Sequence, residues 1–289
     1  MVQIIRTLIH SNIYISLAAA LFTVETQIQL GMNPEWYPYL FLIFFATLCE
    51  YNIHRFITVL THKDALNSEK HKWVKDNLIA FYALVFLSVA GFIVTALMAK
   101  KEVLLTLAPI AALTLLYSIP VYGNKKSIFR LREIPYLKIF IIAFTWSATT
   151  VLLPIIHTGR SFDSVHIGLM LAERFVFILA ITIPFDIRDM DADRIARTKT
   201  IPLLLGEKRS LIMSYASVLL FLAISLFHYS MLNQAFIAMA MVISAISTFI
   251  FLKWDKAKRS SLYHYAILDG TILLQGLLVI GFWFLQKFV

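Results

Sequence analysis

The chain has 289 residues, of which 60% are hydrophobic and 15% charged, with a mean hydropathy of +0.77. Soluble domains carry about a quarter of their residues as charges and about half or fewer as apolar side chains, so this composition excludes a soluble fold and implies an integral membrane protein. The net charge of +9 sits between apolar runs and forms no free basic stripe, which argues against nucleic acid and for membrane lipid and anionic substrates.

Runs of about 20 apolar residues predict nine transmembrane helices in one all-α bundle, a single domain over residues 1–289. The first, residues 12–29, follows Arg6 like a secretory signal, but eight further runs make it a first transmembrane helix. The second, 37–56, contains Cys49. As the only cysteine it can form no internal disulfide and no cysteine metal cluster. This run ends in a polar patch, Glu50-Tyr51-Asn52-Ile53-His54-Arg55, where Glu50 and His54 are spaced i, i+4 for a hydrogen-bonded pair. The third and fourth runs are 77–98 and 103–122. Lys138 lies just inside the fifth, 135–157, in reach of the interface by snorkelling or of a bound anion. The sixth, 165–187, carries Glu173 and Arg174, which its length assigns to the membrane face opposite its acidic end. The last three are 210–229, 234–253 and 265–286, and Asp269 near the start of the ninth reads as a helix N-terminal charge.

Assigning alternate loops to alternate sides puts 20 Lys and Arg residues on the side of the N-terminus and 4 on the other. By the positive-inside rule the N-terminus is cytoplasmic and the C-terminus is on the opposite side. The end of the sixth helix is then also cytoplasmic.

That end is the most distinctive stretch of the chain. From Asp186 to Lys199 it places four aspartates (186, 189, 191 and 193) among four cations, directly after an apolar run. On a helix Asp186, Asp189 and Asp193 fall at i, i+3 and i+7, on one face, and Asp191 points away. Three convergent carboxylates call for a cation, and hard oxygen donors suit Mg²⁺, which takes a few carboxylates together with substrate phosphates. A solvated acidic-basic loop is the other reading of the same residues.

With Asp186-x-x-Asp189-x-x-x-Asp193, the trailing Lys199 and Gly206, Tyr117-Ser118-Ile119-Pro120 at the end of the fourth run, and basic Arg132 and Lys138 around the start of the fifth, the chain resembles the UbiA superfamily of intramembrane prenyltransferases. The resemblance implies that Asp186, Asp189 and Asp193 are catalytic Mg²⁺ ligands facing a polyprenyl diphosphate. It implies a substrate-binding role for Tyr117, Lys138 and Lys199. The family's first acidic motif, Asn-Asp-x-x-Asp-x-x-x-Asp, is expected at the end of the second helix. Asn52 is there, but Ile53, Phe56 and Leu60 stand where its aspartates would be. We therefore expect Asn52, His54 and Arg55 to meet the substrate there, with Arg55 as a fixed cation in place of a metal. For Arg55 snorkelling is the competing reading, and for Arg188 and Arg197 a solvated loop. The implied activity is transfer of a prenyl group from a polyprenyl diphosphate to a small-molecule acceptor, which the sequence does not specify. A degenerate relative that binds the diphosphate without transferring it is the competing function. A transporter is disfavoured, because no pair of Gly/Pro-interrupted helices recurs in two matched halves.

Overall fold

The structure is a computed structural model and describes residues 2–35, 39–61, 69–118, 121–122, 128–129, 134–195, 198–254, 258, 260 and 262–288. Among the described residues the protein is all-α apart from one two-residue antiparallel pair, β1 (Val121–Tyr122) with β2 (Ile128–Phe129). In chain order the helices are α1 (Val2–His10), α2 (Ile13–Gln29), α3 (Tyr39–Thr61), α4 (Glu69–Asp76), α5 (Leu78–Met98) and α6 (Lys101–Ser118). They continue with α7 (Leu137–Thr158), α8 (Ser164–Arg188), the short α9 (Met190–Ile195) and α10 (Ile201–Leu205), α11 (Glu207–Met231) and α12 (Ala235–Lys253). A π-helical turn (Tyr263–Leu268) leads into α13 (Asp269–Gln286). Each of the nine apolar runs coincides with one of the long helices.

Among the described residues seven helices are long and apolar enough to cross a membrane, or eight if the bent pair α1–α2 counts as one span. The protein is an integral multi-pass membrane protein. Against the expected nine, α2 has 17 residues with Glu25, Gln27 and Gln29 in its last turns, and the side chains of α6 beyond Leu116 lie outside the described residues.

Helix α8 is the hub. It packs between α7 and α11, while α12 and α13 continue the wall round to α2, which closes against α7. The apolar stretch of α8 is 56% buried and that of α5 only 17%, so α8 is far more enclosed by its neighbours than α5. Rings of Phe22, Phe177 and Phe221 tie α2, α8 and α11 together, with centroids 6.0 and 5.0 Å apart. Pro184 in α8 has no N–H and cannot bond the carbonyl of Ala180. The hydroxyl of Ser214 on α11 takes up that carbonyl at 2.6 Å, so the break creates an interhelical bond where lipid offers none.

Glu173 and Arg174, expected toward the membrane face opposite the acidic end, are buried in the bundle, 2% and 1% exposed. Arg174 donates to Glu25 (2.8 Å), Gln29 (3.2 Å), Thr26 (2.8 Å), Thr150 (3.1 Å) and the carbonyl of Phe22 (2.6 Å). Glu25 also accepts from Gln29 and from Gln275 of α13, both at 2.9 Å. A charge buried inside a membrane bundle persists only when a partner neutralises it and hydrogen bonds satisfy it. This ion pair fixes α2, α7, α8 and α13 against one another.

Helix α13 also approaches α2 closely at Gly276, where an added Cβ would lie 3.1 Å from both Cβ and the carbonyl oxygen of Leu21. Gly276→Val is expected to lower stability by about 1–3 kcal/mol through overpacking. Gly281→Ala, at a position with open space around it, should leave the thermal unfolding midpoint in detergent unchanged.

Candidate functional site

The acidic segment is only partly one helix. α8 ends at Arg188, Asp189 lies in the turn that follows, and α9 restarts at Met190. Helical hydrogen bonding nevertheless continues through the turn, from the Asp189 N–H to the Phe185 carbonyl (3.0 Å) and from the Asp193 N–H to the Asp189 carbonyl (2.9 Å). Asp189 and Asp193 therefore stay on one face and line a common cavity of about 500 Å³. Asp191 points away, as its spacing predicts. It is exposed and pairs with Arg194 at 3.0 Å.

The cavity lies between α3, α7 and the end of α8. From α3 it receives Glu50, Tyr51 and His54, and from α7 Lys138, Ile141, Ile142, Thr145 and Trp146. One wall is thus charged and another aliphatic and aromatic. Lys138 joins Asp186 to this space, because its ammonium lies 2.6 Å from the Asp186 carboxylate and it also lines the cavity. Asp186 itself is buried and reaches the cavity through the lysine. Lys138 is held in register by an unusual backbone. Tyr136, two residues earlier, has φ +66° and donates its N–H to the Lys199 carbonyl at 2.9 Å. A left-handed residue that is not glycine costs about 1–2 kcal/mol, so the start of α7 is clamped to the loop after α9 at some expense.

The remaining residues expected at the site are placed as follows. Asp189 is gripped on both carboxylate oxygens by its neighbour Arg188, at 2.8 and 3.1 Å. The Arg188 guanidinium in turn sits over the rings of Phe185 and Tyr265, 5.1 and 4.9 Å from their centroids. Lys199 has an exposed side chain and adjoins Thr198, a cavity residue. Asn52 and Arg55 do not line the cavity; they face the corner between α1 and α2, which are bent by 74°. There Asn52 donates to the carbonyls of Ser11 (3.2 Å) and Leu48 (2.8 Å) and accepts from Asn12 (3.1 Å). Arg55 donates to the His10 carbonyl and to the Asn12 side chain. The corner leaves carbonyls that no helix bonds, and these two side chains satisfy them. The side chain of Tyr117, together with Pro120, Arg132 and Arg197, lies outside the described residues.

Sequence reading did not single out Thr145, Trp146 or Thr198, and it saw Glu50 only as a partner for His54. A helical wheel of α3 separates Glu50 and His54 from Asn52 and Arg55, but it cannot say which pair meets a cavity. Among the described residues no three His, Cys, Asp or Glu side chains cluster tightly enough to hold a metal ion by themselves. Carboxylates from Glu50, Asp189 and Asp193 do share one cavity, which is the donor chemistry Mg²⁺ accepts when phosphate oxygens complete its shell.

The sequence profile of the UbiA prenyltransferase family matches residues 74–268. The chain belongs to this family. The matched span begins after α3, the helix whose end lacks the first acidic motif. Solved UbiA structures share the fold across nearly the whole chain. A UbiA homologue from Aeropyrum pernix K1 is 16% identical with a TM-score of 0.62, over 96% of this chain and 98% of that one. A digeranylgeranylglyceryl phosphate synthase structure is 14% identical with a TM-score of 0.56, over 98% of each chain. A UbiA homologue from Archaeoglobus fulgidus bound to GPP and Mg²⁺ is 14% identical with a TM-score of 0.53, over 95% and 96%. A search of curated proteins finds no match to the sequence.

In this UbiA protein the Lys138–Asp186 pair ties the start of α7 to the end of α8. Lys138→Met leaves a buried carboxylate without its cation and is expected to cost about 2–3 kcal/mol, less than for a wholly buried pair because the lysine side chain is 23% exposed. Adding Asp186→Asn should recover most of that loss in a double-mutant cycle of unfolding midpoints. Additive losses would mean that the two side chains do not depend on each other.

Proposed function

We propose that this UbiA protein is a Mg²⁺-dependent prenyltransferase that binds a prenyl diphosphate in the cavity between α3, α7 and the end of α8. The observation that carries this reading is the pairing of chemistries in one space. Lys138, Glu50, Asp189 and Asp193 line the same cavity as Trp146, Ile141 and Ile142, and a prenyl diphosphate has one charged and one apolar end. The Archaeoglobus fulgidus homologue bound to GPP and Mg²⁺ supports the choice of ligand. We place the cavity on the cytoplasmic side with the N-terminus, from the 20-to-4 distribution of Lys and Arg.

Asp189 and Asp193 from one side and Glu50 from α3 would hold Mg²⁺, which neutralises the diphosphate and makes it a better leaving group. Lys138 adds a fixed positive charge where negative charge develops as the allylic C–O bond breaks, the term that usually contributes most to such a step. Asp186 holds Lys138 in place. Lys199, next to Thr198, and Tyr117, at the end of α6, are assigned to the diphosphate side of the cavity. The aromatic face of Trp146 suits positive charge on the allylic carbon, and the aliphatic wall keeps water from that carbon. The acceptor nucleophile then bonds to the carbon and diphosphate departs. Of the three α3 residues expected at the substrate, Asn52 and Arg55 shape α3 instead, while His54 lines the cavity with Glu50.

The test is incubation of purified protein with labelled geranyl or geranylgeranyl diphosphate, Mg²⁺ and a panel of aromatic and lipid acceptors. Diphosphate release with a prenylated product supports transfer. Binding that depends on Mg²⁺ but gives no turnover across the panel would make the protein a diphosphate-binding relative. For the site itself, Asp189→Asn and Glu50→Gln are each expected to weaken Mg²⁺-dependent diphosphate binding or turnover by about 10²-fold. Arg55→Ala should lower thermal stability and leave the affinity of the folded protein near that of the wild type. An Arg55→Ala loss as large as that of Asp189→Asn would move the site to the α1–α2 corner.

A further inference from the structure

A row of titratable side chains far from the cavity is used by none of this chemistry. His166 lies in the first turn of α8 and is half-buried, while His228 on α11 and Glu173 on α8 are 1% and 2% exposed. His166 Nε2 lies 3.2 Å from the Gln29 carbonyl, His166 Nδ1 lies 2.5 Å from His228 Nε2, and His228 Nδ1 lies 3.4 Å from Glu173 Oε2. Glu173 also accepts from Ser225 (3.0 Å) and from the hydroxyl of Tyr229 (2.6 Å). From His166 to Asp189, at the cavity, is about 34 Å along α8 at 1.5 Å per residue. His166 is therefore the end of the row nearest the membrane face opposite the cavity, and Glu173 lies about 10 Å deeper along α8.

A count of protons along the row gives a definite answer. A carbonyl only accepts, so His166 Nε2 must carry a hydrogen. One further hydrogen has to lie between the two rings and another between His228 and Glu173. Three hydrogens are required. Two neutral histidines and a carboxylate supply two, so all three bonds form only when the row holds one extra proton. That proton can reside on His166, on His228 or on Glu173 without breaking any of the three bonds. Removing it sets a bare nitrogen against an acceptor somewhere in the row, and adding another sets two N–H or O–H groups against each other.

The charge balance gives the same number. The charged and titratable groups around the row are Asp163, which caps α8 by accepting from the His166 N–H at 3.3 Å, Tyr229 on α11, Arg174 on α8 and Glu25 on α2. α7 and α13 present the neutral Thr150 and Gln275 to this network, and α12 presents Ser244. Arg174 and Glu25 cancel at 2.8 Å. Glu173 is then the one uncompensated buried charge, and a single proton on the row neutralises it.

We propose that His166, His228 and Glu173 form an intramembrane proton-binding site that holds one proton and exchanges it with the membrane face opposite the cavity. His166 is the half-exposed end through which the proton enters and leaves. The site is independent of the prenyltransferase reading.

The proposal fixes a pH profile. The unfolded chain carries up to two protons on these histidines below their ordinary pKa and none above it, whereas the folded row holds one. Stability therefore rises with pH while the unfolded chain binds more protons and falls once it binds fewer, with the row's contribution greatest near pH 6.5. Glu173→Gln supplies the missing hydrogen from its amide, so the row is complete without the extra proton. On the alkaline side the wild-type unfolding midpoint is expected to fall by about 3–5 °C per pH unit, one proton's worth, while that of Glu173→Gln stays level. Equal alkaline slopes for the two proteins would overturn the proposal. If the variant does not fold, ¹⁵N spectra of histidine-labelled wild type decide. The two rings are expected to share one proton and titrate together on the alkaline side, and full independent protonation of both near pH 6 would exclude a one-proton site.

Discussion

The buried Arg174–Glu25 pair is the interaction on which the packing of the central helices depends. A guanidinium removed from water must find its hydrogen bonds within the protein, and five groups from α2 and α7 accept from this one. Its centre also lies 4.0 Å from the centroid of the Phe22 ring. Lipid tails are as apolar as leucine, so burial of apolar surface gives α2 little reason to prefer α8 over the bilayer. The ion pair supplies that reason, because Glu25 and Arg174 are far costlier apart in hydrocarbon than together. Once α2 is fixed, α3 packs against it through Asn52 and Arg55, and Glu50 and His54 are turned toward α7.

The same dependence explains what could be read from sequence. The long helices were readable because a membrane span is set by a local run of apolar residues. The one-sidedness of Asp189 and Asp193 was readable because helical periodicity is local too, and it survives the turn at Asp189. Family membership followed from those motifs. The contribution of α3 was readable only in part, because its polar patch holds His54, which lines the cavity, together with Asn52 and Arg55, which do not. Asn52 and Arg55 resembled substrate contacts, but their role comes from a corner some 40 residues earlier, where Asn12 has φ +64°. Nothing in the local pattern of α3 reveals that corner. Arg174 and Glu25 carried a usable signal, since two opposite charges inside apolar runs need each other.

Asp186 shows how family resemblance and geometry divide the work. Its spacing groups it with Asp189 and Asp193, whereas its buried carboxylate pairs with Lys138 and does not itself line the shared cavity. The acidic segment thus does two jobs, with two carboxylates presented to the space and one that orients a cation beside them. An acidic motif read as a set of equal ligands hides this difference.

Helix α8, with 25 residues, is about 37 Å long, several ångströms more than the roughly 30 Å hydrocarbon core of a bilayer. Hydrophobic mismatch of this size is relieved by tilting or by letting the ends stand in the headgroup layers. Because α8 is packed on both sides and pinned at its middle by Arg174, its tilt cannot change without moving α7 and α11 as well. Bilayer thickness therefore acts on this protein as a mechanical variable, setting how deep the turn at Asp189 lies relative to the phosphates of the surrounding lipids.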